Sequence, residues 1–206
     1  KKLLFFSNGD LTYFLLNNFV VERAAFTGAE IGMLQSLREV PGFLAFTAVF
    51  VLLVVREQRF ALGSLLVMSV GVALTPFFPS TYGLYATTVV MSMGFHYFET
   101  INKSLTLQWI EKTQTPHFMG KAMAVKAAGA LLAYSSIWLL MEWVGFGFTA
   151  MYLLAGGIGV VITLALWVAF PHFPEGAVQH KKLIFPHISG LFDSCYTINR
   201  LSKWYL

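Results

Sequence analysis

Charge is scarce in this chain: Asp, Glu, Lys and Arg make up 12% of its 206 residues, against 57% hydrophobic ones. With a mean hydropathy of +0.67, there is too little polar surface to cover a water-soluble globule of that length, and lipid is the expected solvent. Cysteine is nearly absent. The single Cys195, in a polar stretch near the end, excludes a disulfide framework and a Cys-based metal site, and reads as a free thiol without a role. Motifs for catalysis are missing as well. No H-E-x-x-H, P-loop, G-x-S-x-G or paired acidic motif with metal-ligand spacing occurs, so neither an enzyme, a metal site nor a cofactor is expected. Ser64 and His96 form no recognisable protease dyad, because no glycine-flanked serine motif accompanies them. The net charge of +4 does not imply nucleic acid, since the basic residues sit singly beside apolar runs and form no aromatic-interleaved basic face.

What the chain does have is six long apolar runs, at roughly 3–21, 29–55, 60–78, 82–107, 120–141 and 147–170. A helix needs about 20 mostly apolar residues to cross a bilayer core about 30 Å thick. The first run follows Lys1 and Lys2 but holds Asn8, Asp10, Asn17 and Asn18 and no small-residue cleavage site, so it reads as a retained helix, not a leader. Loops between the runs are short. Lys1, Lys2, Arg56, Arg59, Lys103, Lys112, Lys121, Lys181 and Lys182 fall on one side or its border, against Arg23 on the other. The positive-inside rule then places both termini in the cytoplasm and the protein in the plasma (inner) membrane. Trp109, Trp138, Trp143, Tyr82 and Tyr152 lie near run ends, where interfacial aromatics gather. Ala155, Gly159 and Thr163, thickened by Gly156 and Gly157, form a small-residue stripe in the sixth run, and Gly129 with its alanine neighbours does so in the fifth. Pro41-Gly42 removes a backbone donor from the second run, as a kink or a moving joint. The chain therefore divides into a six-helix bundle over 1–171 and a cytoplasmic tail over 172–206. The tail has no seventh apolar run, and either lies on the membrane surface through Leu183, Ile184, Phe185, Trp204 and Tyr205 or is unstructured.

An ionisable side chain deep in a bilayer is costly, so one placed there marks a protein interior or a water-filled path. Asp10, Tyr13 and Asn17 share one face of the first run, and Gln35, Arg38, Glu39 and Gly42 form a polar stripe in the second. Ser92, His96, Glu99 and Lys103 line the fourth, beside Asn102, and Lys126 lies in the fifth. These faces are expected to meet in a common interior. Each has a structural alternative. Arg38 and Glu39 project about 100° apart, so each is free to neutralise a charge on another span instead of its neighbour. Glu99 and Lys103 have the spacing of a local pair, and Lys126 and Lys103 are long enough to snorkel to headgroups. His96 suits either a proton relay with Glu99 or a helix-to-helix hydrogen bond. Asp10, with Asn8, Gly9 and Thr12 around it and no cation within one turn, is the strongest pathway candidate.

These features together resemble the amino-terminal half of a major facilitator superfamily transporter: six spans with both ends inside, a carboxylate in the first, a kinked second followed by a basic turn, and small-residue faces in the last two. The resemblance runs from Gly9-Asp-Leu-Thr-Tyr13 through Leu37-Arg-Glu-Val-Pro-Gly-Phe-Leu44 to Pro171. It implies an all-α, polytopic half-bundle of 3+3 inverted repeats, with substrate held against a second such bundle and access alternating by rocking. It also implies that Arg56 and Arg59 form the cytoplasmic gating turn, although Val54-Val-Arg-Glu-Gln-Arg59 keeps fewer basic residues than the family's usual turn. The fifth run, Ala127-Ala-Gly-Ala-Leu131, carries no antiporter Gly-Pro pair. The expected partners are the bilayer, a small-molecule substrate, protons, and a second six-helix half or a dimer partner. The alternative left open is a chain that does not transport alone, as a fragment or as an interaction subunit of a larger membrane assembly.

Overall fold

A computed structural model describes residues 8–22 and 24–169, with side chains in the first helix described from Leu15 onward. The tail from 172, with Cys195, lies outside the described residues. Helix is the only regular structure among them: α1 (Asn8–Glu22), α2 (Gly28–Phe43), α3 (Ala48–Leu52), α4 (Glu57–Leu74), α5 (Thr81–Trp109), α6 (Thr115–Glu142) and α7 (Phe148–Ala169). Each apolar run became one helical stretch, with the second broken in two. Among the described residues, three stretches are long and apolar enough to cross a membrane: Glu57–Phe77, Thr115–Glu142 and Phe148–Ala169. The 29 residues of α5 have the length, but Tyr82, Tyr85, Thr87, Thr88, His96 and Glu99 dilute its apolar character.

The ends of the helices are set by local chemistry. Thr27 caps α2 through a reciprocal box: its backbone N–H donates to Glu30 Oε2 at 2.8 Å, while its side chain accepts from the Glu30 N–H. Ser80 caps α5 by accepting from the Gly83 N–H at 3.2 Å. Ahead of α2, the chain turns at Ala25, whose φ of 49° lies in the left-handed region. The second run breaks where Pro41 and Gly42 predict, passing into a 3₁₀ turn over Leu44–Thr47 before α3. Proline cannot donate to the carbonyl one turn back, and its ring crowds that carbonyl. The Thr47 hydroxyl donates to the Leu44 carbonyl at 2.7 Å and so steadies the tighter turn.

α4 is the middle of the packing, with α5 against one side and α7 against another, while α2 packs on α5. These contacts are close because glycines stand in them. A Cβ on Gly94 of α5 would fall 2.5 Å from the Met68 nitrogen and the Ser64 carbonyl oxygen of α4, and one on Gly156 of α7 would fall 2.6 Å from the Ala73 nitrogen. Backbones brought this near gain dispersion contacts that lipid does not offer, which drives helix association in a bilayer. Of the expected small-residue stripe of α7, Gly156, Gly159 and Thr163 are buried, and Ala155 packs half-buried against the core. The expected stripe in α6 is not used: a Cβ on Gly129 would meet nothing within 4 Å, and Ile137 is the one buried residue of that helix. Some buried hydroxyls return to their own helix. Ser69, Thr75 and Thr163 donate to carbonyls four residues back, leaving those donors satisfied without water.

The apolar core gathers at one end of the bundle. Leu15, Leu16, Phe19 and Val20 of α1 meet Leu34, Val72, Leu84, Ile137, Met151 and Tyr152 there. Phe19 stands edge-on to Phe148 and to Tyr152, with ring centroids 5.7 and 5.5 Å apart. Tyr152, near the start of α7, is fully buried in this cluster, whereas Tyr82 and Trp143 are exposed. The opposite end carries Arg56, Arg59, Lys103, Lys112 and Lys121. There the Gln108 side chain donates to Glu57 Oε2 at 2.9 Å and clasps the end of α5 to the start of α4.

Candidate functional site

Among the described residues, the polar side chains of the helices fall in three places. Between α1 and α2, Gln35 Nε2 donates to Asn17 Oδ1 at 2.9 Å, and both side chains are half-buried. Asp10 and Tyr13 lie in α1 upstream of Asn17; their side chains are outside the described residues.

At the second place, α2 meets α5 beside the helix break. Arg38 pairs with Glu39, its Nη2 lying 2.9 Å from Oε1, with the Arg38 side chain 30% and the Glu39 side chain 62% exposed. Neighbours about 100° apart on a helix are thus joined after all, because the arginine stem is long enough to fold back. Ser92 of α5 donates its hydroxyl to the Arg38 backbone carbonyl. One turn further, the His96 ring lies against Gly42: a Cβ there would stand 2.8 Å from His96 Cε1. A side chain at 42 would displace the His96 ring. Below it, Tyr97 and Thr47 share a hydrogen bond of 2.7 Å that ties α5 to the 3₁₀ turn. Ser64, by contrast, is buried in the contact of α4 with α5, and its hydroxyl has no hydrogen-bond partner among the described residues, so it forms no dyad with His96.

The third place is a cavity of about 510 Å³ between α4, the second half of α5 and the first half of α6. Its apolar wall comes from Met68, Phe95, Phe98, Phe118, Met119 and Met123. Its polar groups are Glu99, Asn102, Lys103, Thr106 and Lys126. Glu99 and Lys103 form the expected i, i+4 pair at 3.3 Å. Of the residues singled out in the sequence, Glu99, Asn102, Lys103 and Lys126 meet here, while Arg56 and Arg59 stand exposed at the start of α4, outside the lining. Thr106 belongs to the lining as well, although the polar stripe of α5 did not include it. The signal available in sequence was on α6, where Phe118, Ala122 and Lys126 recur at intervals of four and mark one helical face. Among the described residues no cluster of His, Cys, Asp and Glu is suited to a metal ion.

The cavity and the apolar core occupy opposite ends. Lining residues come from the halves of α5 and α6 nearest Lys103, Lys112 and Lys121, whereas Phe19, Leu84, Ile137 and Tyr152 fill the far end. Chemically, the described lining offers a carboxylate paired with the Lys103 ammonium, together with the Lys126 ammonium, in a largely apolar, aromatic surround. The chain matches no protein-family model, no curated protein and no solved structure.

Proposed function

We propose that this chain is a six-span protein of the plasma (inner) membrane, with both termini cytoplasmic, and one bundle of an alternating-access permease of the major facilitator kind. It moves a small solute, coupled to a proton or another ion. The observation that carries this reading is the cavity at the basic end, backed by a plug of interlocked rings at the other end. A transporter needs a compartment that reaches one face while the other is sealed. Glu99 is the coupling group: when it takes up a proton, its pair with Lys103 is lost and the lining gains positive charge, so proton and solute occupancy become linked. The break at Pro41-Gly42, with His96 seated on it, is the joint at which α2 changes direction between states. Asp10, Tyr13, Asn17 and Gln35 belong to the α1–α2 side of the path, and Arg56 and Arg59 to its gating turn.

A second reading has an observation of its own. α6 exposes Met123, Leu131, Leu132 and Trp138 along most of its 28 residues. That surface suits lipid, or a second bundle or partner subunit against which this chain works. Purified full-length chain in proteoliposomes, given a panel of radiolabelled small solutes under an imposed pH gradient, separates the two. The permease reading expects uptake of at least one solute with the intact chain and its loss in Glu99→Gln, with insertion unchanged. An inactive chain that runs as a monomer in detergent contradicts it.

A further inference from the structure

α2 is soft at one point, and α5 holds it on both sides of that point. Pro41 has no backbone N–H to give the carbonyl one turn back, and Gly42 follows it, so the helix loses a hydrogen bond and gains backbone freedom at the same place. Before the break, the Ser92 hydroxyl donates to the Arg38 carbonyl. At the break, the His96 ring lies against Gly42. After it comes the 2.7 Å hydrogen bond between Tyr97 and Thr47. A threonine hydroxyl has one proton, and Thr47 gives it to the Leu44 carbonyl at 2.7 Å, so Tyr97 is the donor and Thr47 the acceptor. Tyr97 is itself anchored: its ring packs on Phe60 of α4 with centroids 5.5 Å apart, and Gly94, between Ser92 and His96, brings α5 against the backbone of α4. The segment beyond the break has no such support. Over 44–52 only Ala48 is buried, and Phe43, Phe46 and Phe50 are exposed.

We infer that the Tyr97–Thr47 hydrogen bond is a catch: it holds the 3₁₀ turn and α3 against the α4–α5 pair, and its release lets that segment swing about Pro41-Gly42. The inference rests on the reading of this break as the joint between states, and names the contact that sets their balance. A hydrogen bond between side chains of neighbouring helices in lipid shifts such a balance by a factor of about three. That is enough to favour one state and too little to lock it, as a segment that moves in each cycle requires.

The test uses full-length chain in nanodiscs, with Cys195→Ser as background and spin labels on two exposed positions, Phe50→Cys in α3 and Val161→Cys in α7, which packs on α4. Pulsed electron resonance between the labels is expected to show a main and a minor distance population. Tyr97→Phe, which drops the hydroxyl and keeps the ring on Phe60, and Thr47→Val are each expected to raise the ratio of minor to main population about threefold, with the thermal transition in place. The double variant is expected to match the larger single effect, since both changes remove the same bond. Thr100→Val removes an exposed hydroxyl that donates within α5 to the His96 carbonyl, and is expected to leave the ratio unchanged. Unaltered populations in either Tyr97→Phe or Thr47→Val, effects that add in the double variant, or an equal rise in Thr100→Val overturn the inference. A swing released by Tyr97→Phe in a chain that takes up no solute keeps the catch and removes the permease reading, whereas uptake by a chain whose populations no variant alters does the reverse.

Discussion

At the scale of single residues, glycine position decides how the helices meet. Gly94 and Gly156 lie where a Cβ would strike backbone atoms of α4 at 2.5 and 2.6 Å, and backbone cannot rotate aside as a side chain can. Gly94→Ala and Gly156→Ala are each expected to destabilise the bundle by about 1–3 kcal/mol, measured by reversible denaturation in mixed micelles. Gly129→Ala and Gly157→Ala, where a Cβ meets nothing within 4 Å, are expected to stay within about 0.5 kcal/mol of the parent or to gain slightly from helix propensity. Equal effects at all four positions would disprove the close packing on α4. The hydrogen bond of Gln35 to Asn17 is accessible to a double-mutant cycle with leucine at each position. Its coupling is expected near 0.6 kcal/mol and at most about 1.7 kcal/mol, the range for polar side chains joining helices in lipid. A coupling of zero would mean that α1 and α2 are not joined there.

At the scale of elements, the apolar runs translate into helices because a chain in lipid must satisfy its backbone internally, and only a helix does so within one segment. That physics is local and can be read from hydropathy, and the break follows from Pro41 in the sequence; the Thr27–Glu30 box is known from the structure. Thr27→Ala removes the cap of α2 and is expected to cost about 1 kcal/mol, with the loss confined to amide protection in the first turn of that helix. Protection unchanged from Glu30 to Met33 would contradict the box. The faces of the helices were less legible. In α7 the sequence gives a stripe of small residues over 155–163, but which of them makes the closest approach, Gly156, depends on Ala73 of α4, far along the chain. Gly129 has the composition of a packing site but meets no neighbour. Arg38 and Glu39 were expected to face apart, since helical geometry fixes where a Cβ points and says little about where a long guanidinium stem ends.

At the scale of the whole molecule, the division of labour between the ends matters more than any single polar residue. The apolar cluster of Phe19, Phe148 and Tyr152 joins α1 to α7 away from the basic loops, while the cavity with Glu99 and Lys126 lies on the basic side. Loop charges gave that polarity in sequence. The cavity itself was not legible, because it depends on how far α6 stands from α5, a distance set by contacts between helices and not by the pattern within either. The most direct test is thiol accessibility in sealed vesicles, with Cys195→Ser as background and single cysteines at Lys112, Gly145 and Ala122. An impermeant maleimide is expected to reach Lys112→Cys and Gly145→Cys from opposite faces, and Ala122→Cys only from the face that exposes position 112. Labelling of position 122 from the face that exposes position 145, or of 112 and 145 from the same face, would contradict a bundle sealed at one end and open at its basic end.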